Sequence, residues 1–120
     1  MASPLSVLVV DDNVDAARTL EAVLRTLGHE VDVAHDGASA LRAARERPPQ
    51  VVLLDISMPG MDGLEVARRL REQPGLQGVR FAAVTGLGQE ADRRRSREAG
   101  FDAHLVKPLS PEDLQRVLEP

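Results

Sequence analysis

The sequence has no cysteine, no tryptophan and no tyrosine, only two phenylalanines, and one lysine among fifteen basic residues. Without Cys there is no disulfide framework and no thiolate metal site. Almost without aromatics, the core has to be aliphatic, built from Val, Leu, Ala and Ile. A sequence-independent binder of single-stranded nucleic acid would lack the stacking platforms it needs. The formal net charge of -4 argues against nucleic acid or an anionic membrane as the main partner. No apolar run approaches the roughly 18 residues of a membrane span. Met1 to Ser6 lack the basic start and apolar stretch of a signal peptide. A cytoplasmic location is therefore expected, with no direct contact to nucleic acid or membrane.

What is present fits one soluble globular domain: 120 residues, 42% hydrophobic and 28% charged, enough to bury a single core. Short apolar runs alternate with amphipathic stretches. Leu5–Val10 reads as a strand covered on both faces. Asp15–Leu27 places Leu20, Val23, Leu24 and Leu27 at helical spacing, with Gly28 where a C-terminal cap belongs. Val31–His35 is a second strand. Gly37–Arg47 is an Ala-rich helix stopped by Pro48-Pro49. Val51–Asp55 is the most hydrophobic strand and so belongs at the sheet centre. A turn then precedes a helix over Leu64–Glu72, and Pro74-Gly75 and Gly78 mark the next loop. Val79–Thr85, a very polar helix over Gln89–Ala99 capped by Gly100, Asp102–Val106 and a helix over Pro111–Glu119 complete the pattern. This is a (βα)5 repeat without linker or low-complexity segment. It implies one α/β doubly wound domain around a parallel sheet.

In such folds ligands gather at the carboxyl ends of the strands. Asp11 and Asp12 follow the first strand, Asp55 ends the third, Thr85 ends the fourth, and Lys107-Pro108 follow the fifth. A parallel sheet brings these residues onto one small surface. Each alone has an ordinary explanation. An Asp pair after a strand caps helices or makes turns, a lone Thr packs, and a lone Lys is a solvated surface residue. Together they carry a chemistry. Three crowded carboxylates need compensation, and a hard divalent cation with all-oxygen ligation, Mg2+, supplies it. Fourteen of the fifteen basic residues are Arg, so the one Lys marks a position suited to a compact point charge. An Asp beside Mg2+ and Lys can act as a nucleophile toward phosphorus. Thr85 could donate a hydrogen bond to a phosphoryl oxygen.

Asp11-Asp12, Asp55 with Met58-Pro59-Gly60-Met61-Asp62-Gly63, Thr85-Gly86 and Lys107-Pro108 resemble the response-regulator receiver domain over essentially the whole chain. The stretch from Thr85 to Pro108 looks most like receivers of hybrid sensor histidine kinases. The resemblance implies a five-stranded parallel sheet of flavodoxin-like order 2-1-3-4-5. It implies that Asp55 is the phosphoacceptor of a two-component phosphorelay. Asp12, Asp55 and the main-chain carbonyl of Ser57 would hold Mg2+, with Asp11 acting through a water. Lys107 would pair with the phosphoryl group and Thr85 would be the switch hydroxyl. Gly86 would leave room for the group, and the Lys107–Pro108 bond would be cis. The implied partners are a histidine kinase or phosphotransfer domain and an output or kinase domain in a longer parent protein, for a monomer or weak dimer. The chain reads as a receiver over 1–120 with no output domain. It would be a signalling domain that catalyses only its own phosphorylation and dephosphorylation, not a dedicated enzyme.

One position departs from the family pattern. Where the switch usually has Phe or Tyr, three residues before the Lys, this sequence has His104. It is smaller and titratable, and it either fills the site passively or makes the inward state depend on pH or couple weakly to phosphorylation. The polar stretch with Arg93, Arg94, Arg95 and Arg97 among Glu90, Asp92 and Glu98 reads as a solvated face, or as a docking face for an acidic partner.

Three rival readings exist. Gly86-Leu87-Gly88-Gln89-Glu90-Ala91 fits a dinucleotide-binding G-x-G-x-x-A, but it follows the fourth strand, and the first turn carries repelling carboxylates. A phosphatase working through an aspartyl phosphate would want an Asp-x-Asp after the first strand and a cap domain. A receiver-like interaction module that works without phosphorylation would be free to lose the site residues, yet all are present.

Overall fold

The computed structural model describes residues 4–56, 63–86, 94, 97, 99–107 and 109–118. In chain order the elements are β1 (Ser6–Val10), α1 (Val14–Thr26), β2 (Glu30–Ala34), α2 (Gly37–Glu46), β3 (Val51–Asp55), α3 (Gly63–Arg71), β4 (Arg80–Thr85), β5 (Ala103–Val106) and α4 (Pro111–Leu118). All neighbouring strands pair in parallel, in the order β2-β1-β3-β4-β5. The expected α/β doubly wound architecture is the one observed. No helix among the described residues is long and apolar enough to cross a membrane.

The strands are apolar throughout because helices cover both faces of the sheet. β3, at the centre, is buried at every position. Side chains alternate across the sheet. Leu8, Val10, Val52, Leu54, Phe81 and Ala83 pack with α2 and α3 on one face. Val7, Val9, Leu53, Ala82, Val84 and Leu105 pack with α1 and α4 on the other. Each fully buried Leu or Val adds about 1.5–3 kcal/mol of hydrophobic stabilisation. Both Phe residues lie on the α2–α3 face, with ring centroids 6.3 Å apart at 86°. The Arg71 guanidinium carbon sits 4.7 Å from the Phe81 centroid and 5.4 Å from that of Phe101. Its nitrogens donate to the carbonyls of Ala99 and Gly100 at 2.9 and 3.1 Å.

Local signals set the helix ends. Asn13 is extended, and its side chain accepts from the Ala16 N–H at 3.0 Å, capping α1. At the other end Gly28 has φ +96°, its N–H donates to Arg25, and the His29 N–H donates to Leu24. This is a Schellman ending, which favours a residue without Cβ at that φ. Asp36 caps α2 by accepting from the Ser39 N–H at 2.7 Å.

The differences from the sequence-based boundaries are of one residue and have visible causes. β2 runs Glu30–Ala34 rather than Val31–His35: the Glu30 N–H donates to Leu5, and His35 turns its ring to the Asp11 carbonyl instead. β5 starts at Ala103, not Asp102, because the Asp102 carboxylate takes the Phe81 N–H at 2.7 Å. β4 starts at Arg80, since the Val79 N–H closes a turn onto Leu76. The helix expected over Gln89–Ala99 lies largely outside the described residues; Arg94 and Arg97 within it are helical and exposed.

Candidate phosphoryl and metal site at the strand ends

Strand register assembles the site. Val10 pairs with Leu54, Asp55 with Val84, and Thr85 with Val106. Asp11, Asp55, Thr85 and Lys107 therefore end adjacent strands at nearly one level. The backbone fixes them there. The Asp11 N–H donates to Ala34, the Ile56 N–H to Val84, and the Lys107 N–H to Thr85.

Asp11 and Asp55 are buried, at 5% and 7% exposed, while Asp12 is exposed. One carboxylate oxygen from each of the three lies within 4.8 Å of the others. Buried carboxylates so close together repel unless cations or hydrogen bonds offset them. Lys107 supplies one offset: its ammonium donates to Asp11 Oδ2 and to Asp55 Oδ2, each at 3.1 Å. The Asn13 N–H supplies another, donating to Asp11 Oδ1 at 2.9 Å. Burial alone would lower the Lys107 pKa. The hydrogen bonds to Asp55 and Asp11 and their charges outweigh that effect, holding the ammonium above the ordinary lysine range. The site remains rich in negative oxygen donors. That is the donor set a hard divalent cation accepts.

Thr85 is fully buried, and its hydroxyl has no hydrogen-bond partner among the described residues. Such an orphan is unusual in a core, and Thr85 directly follows Val84, the strand partner of Asp55. His104, on β5, is half-buried with its Nε2 shut off from solvent. It alternates with Ala103 and Leu105, which face the α1–α4 side. Gly63 opens α3 directly against the phosphoacceptor candidate. A Cβ there would lie 2.7 Å from the Ile56 Cα and 3.2 Å from the Asp55 carbonyl oxygen.

The structure thus brings together Asp11, Asp12, Asp55 and Lys107, with Thr85 ending the neighbouring strand. Ser57, Met58 to Asp62 and Pro108 lie outside the described residues, as do Leu87 to Ala91 of the glycine motif. Two contributors escaped the sequence reading. Asn13 both caps α1 and ties Asp11, and an Asn just before a helical stretch was a readable signal. His35 donates from Nδ1 to the Asp11 carbonyl at 3.0 Å, the tautomer following from a carbonyl that can only accept. Nothing in the local sequence marked it.

A family model described as response regulator receiver domain matches residues 7–119. A probable transcriptional regulator ycf27 of Cyanophora paradoxa is 39% identical over 109 residues, covering 91% of this chain and 44% of its own length. The DNA-binding response regulator MtrA of Mycolicibacterium paratuberculosis is 41% identical over 108 residues, covering 90% and 47%. This chain thus spans less than half the length of these curated relatives. Among solved structures, the receiver domain of sensor histidine kinase PA1611 from Pseudomonas aeruginosa PAO1 superposes with a TM-score of 0.85 at 33% identity. The match covers 97% of this chain and 95% of that one, whose active-site cleft coordinates a magnesium ion.

Proposed function

The chain belongs to the response-regulator receiver family, and on that premise we propose that Asp55 is its phosphoacceptor. The observation that carries this reading is the clustering of three carboxylates within 4.8 Å, bridged by the one Lys of the chain. An Asp55 carboxylate oxygen attacks the phosphorus of a phosphohistidine on a histidine kinase or phosphotransfer domain. The P–N bond breaks, the imidazole nitrogen takes a proton from solvent, and an aspartyl phosphate is left on Asp55. Water attack at phosphorus later releases inorganic phosphate and regenerates the carboxylate.

Asp12, Asp55 and the main-chain carbonyl of Ser57 would hold Mg2+, with Asp11 acting through a water, and the ion would neutralise charge on the transferring group. The oxygen-only donor set fits it. Lys107 starts on the acidic oxygens of Asp11 and Asp55 and moves to the phosphoryl oxygens when they arrive. The buried Thr85 hydroxyl gains its missing acceptor in the same group. Thr85 and His104, on adjacent strands, form the switch pair that relays occupancy toward β5 and α4. In this reading residues 1–120 make one receiver domain. It is cytoplasmic, a monomer or weak dimer, and its only chemistry is on itself. The output or kinase module it modulates belongs to a longer protein.

The test is incubation with Mg2+ and acetyl phosphate, then with a phosphorylated histidine-kinase domain, read by intact mass. A single Mg2+-dependent phosphoryl adduct absent from Asp55→Ala is expected. An adduct that survives in Asp55→Ala sinks the assignment of Asp55. Failure with both donors would favour the interaction module that works without phosphorylation.

A further inference from the structure

Between α1 and α4 a recess of about 490 Å3 opens on the sheet, walled by Ala16, Thr19 and Leu20 of α1, Leu53 and Val84 of the sheet, and Leu114 of α4. Its volume falls within the 300–1,000 Å3 typical of small-molecule sites. The recess has a cause in the sequence. Both Phe residues pack on the opposite face of the sheet. Among the described residues the hydrophobic cluster on the α1–α4 face is made of Val, Leu and Ala, and α1 presents the short side chains of Ala16 and Thr19.

The recess does not end on apolar wall. Strand alternation puts Asp11 on the side of Val9 and Asp55 on the side of Leu53, and both carboxylates line its end together with Lys107. Two carboxylates face one ammonium there, and the Asp12 carboxylate lies within 4.8 Å of both acids. Among the described residues the polar end is therefore net negative, while the walls are apolar.

We propose that this recess binds a small amphiphilic amine, its alkyl or aryl body along Leu20, Leu53, Val84 and Leu114 and its primary ammonium on the Asp11–Asp55 pair. The head group uses carboxylates that would hold Mg2+, so occupancy of the recess and metal loading oppose each other. Such an amine holds the domain in a metal-free, unphosphorylated state. The proposal rests on the recess and its charge, not on transfer of a phosphoryl group. An Asp55→Asn protein that still became phosphorylated would remove the proposed function and leave this inference standing.

The probe is 4-phenylbutylammonium, titrated into methyl-labelled protein and followed by NMR. Saturable shifts of the Leu53, Val84 and Leu114 methyls are expected. The isosteric anion 4-phenylbutyrate should bind about tenfold or more weakly, the equivalent of losing one hydrogen bond to a charged group. Saturating Mg2+ should raise the apparent Kd of the amine by a similar factor. Asp55→Asn should weaken binding and Lys107→Met strengthen it, opposite signs that a general loosening of the fold would not give. Ala16→Leu, which fills the recess without touching a carboxylate, should abolish probe binding and leave Mg2+ affinity, measured by calorimetry, unchanged. The proposal is overturned if the methyls show no saturable shift, if the carboxylate probe binds as tightly as the amine, or if Ala16→Leu leaves amine binding intact. The comparison of amine, anion and Mg2+ uses the unaltered protein, so it stands even where a variant fails to fold.

Discussion

Gly63→Ala is the substitution whose cost can be worked most directly from the structure. At the first position of α3 an added Cβ would meet the Ile56 Cα at 2.7 Å and the Asp55 carbonyl oxygen at 3.2 Å. Both partners are main chain, so no rotamer change relieves the contact. Either α3 or the end of β3 must move by several tenths of an ångström. Overpacking of this kind costs about 1–3 kcal/mol. The helical preference of Ala over Gly returns at most about 1 kcal/mol in a helix interior, and less at its first residue. A net loss of about 1–2 kcal/mol follows, or about 4–8 °C in Tm at about 4 °C per kcal/mol for a domain of this size. The control is Gly78→Ala, where nothing lies within 4 Å of the added Cβ. There the stiffer unfolded chain should leave stability unchanged or raised by up to about 1 kcal/mol. Urea unfolding followed by far-UV circular dichroism is the assay, since the chain has no Trp or Tyr to report by fluorescence. Because the displaced atoms include the main chain of Asp55, Gly63→Ala should also slow phosphoryl-adduct formation with acetyl phosphate, and Gly78→Ala should not. Equal stabilities and equal adduct rates for the two variants would refute the steric argument.

Further outcomes follow from named contacts. Asn13→Ala removes the acceptor for the Ala16 N–H and should cost about 1 kcal/mol in urea unfolding. Arg71→Met leaves the carbonyls of Ala99 and Gly100 without their donor and removes the stack on Phe81 and Phe101; a loss of about 1–2 kcal/mol is expected. Mg2+ at about a hundred times its Kd should stabilise the protein by about 2.7 kcal/mol, and Asp12→Ala should remove most of that gain in a calorimetric melt. The Lys107 pKa is raised by its partners beyond the opposing effect of burial. Its stabilising contribution is therefore full below the unfolded lysine value of about 10.4 and is lost as pH climbs through the higher folded value. The stability gap between native protein and Lys107→Met should accordingly stay constant up to about pH 10 and narrow as pH rises beyond about 10.4, and a gap that widens there would contradict the pairing.

Most of the fold was written in local signals. The run Val51 to Asp55 announced a central buried strand, Gly28 announced the end of α1, and Pro48-Pro49 the end of α2, because each rests on chemistry within a few residues. The one-residue errors came from the opposite kind of cause. Asp102 leaves β5 because its carboxylate reaches the Phe81 N–H, 21 positions away. His35 leaves β2 because its ring reaches the carbonyl of Asp11, 24 positions away. No window of sequence contains both partners. The strand order came from the family resemblance and not from the periodicity, which yields five alternations but not their arrangement. The convergence of Asp11, Asp12, Asp55 and Lys107 was legible for a third reason: a parallel sheet converts similar positions in sequence, just after each strand, into neighbours in space. The recess between α1 and α4 was not legible, because it depends on the summed volume of side chains from three elements and on both Phe residues packing elsewhere.

Register ties the stability of this fold to the assembly of its site. The alternation that buries Val9 and Leu53 against α1 and α4 also sets the direction of Asp11 and Asp55, each two residues further along its strand. Slipping β3 by one residue against β1 would turn its apolar set over and carry the Asp55 carboxylate to the other face. What opposes such a slip is the charge, because a carboxylate carried to the α2–α3 face would be set against the aliphatic cluster there. The hydrophobic pattern thus positions charged groups it does not itself contain. The same reasoning bears on Lys107. It stands one residue beyond Val106, which pairs with Thr85, and its reach to both Asp11 and Asp55 depends on β5 keeping that register. A guanidinium in its place would keep the charge, but its planar fork suits bidentate pairing with one carboxylate rather than bridging two. In a chain that otherwise uses Arg at every basic position, the lysine stands where a compact cation must serve two acids at once.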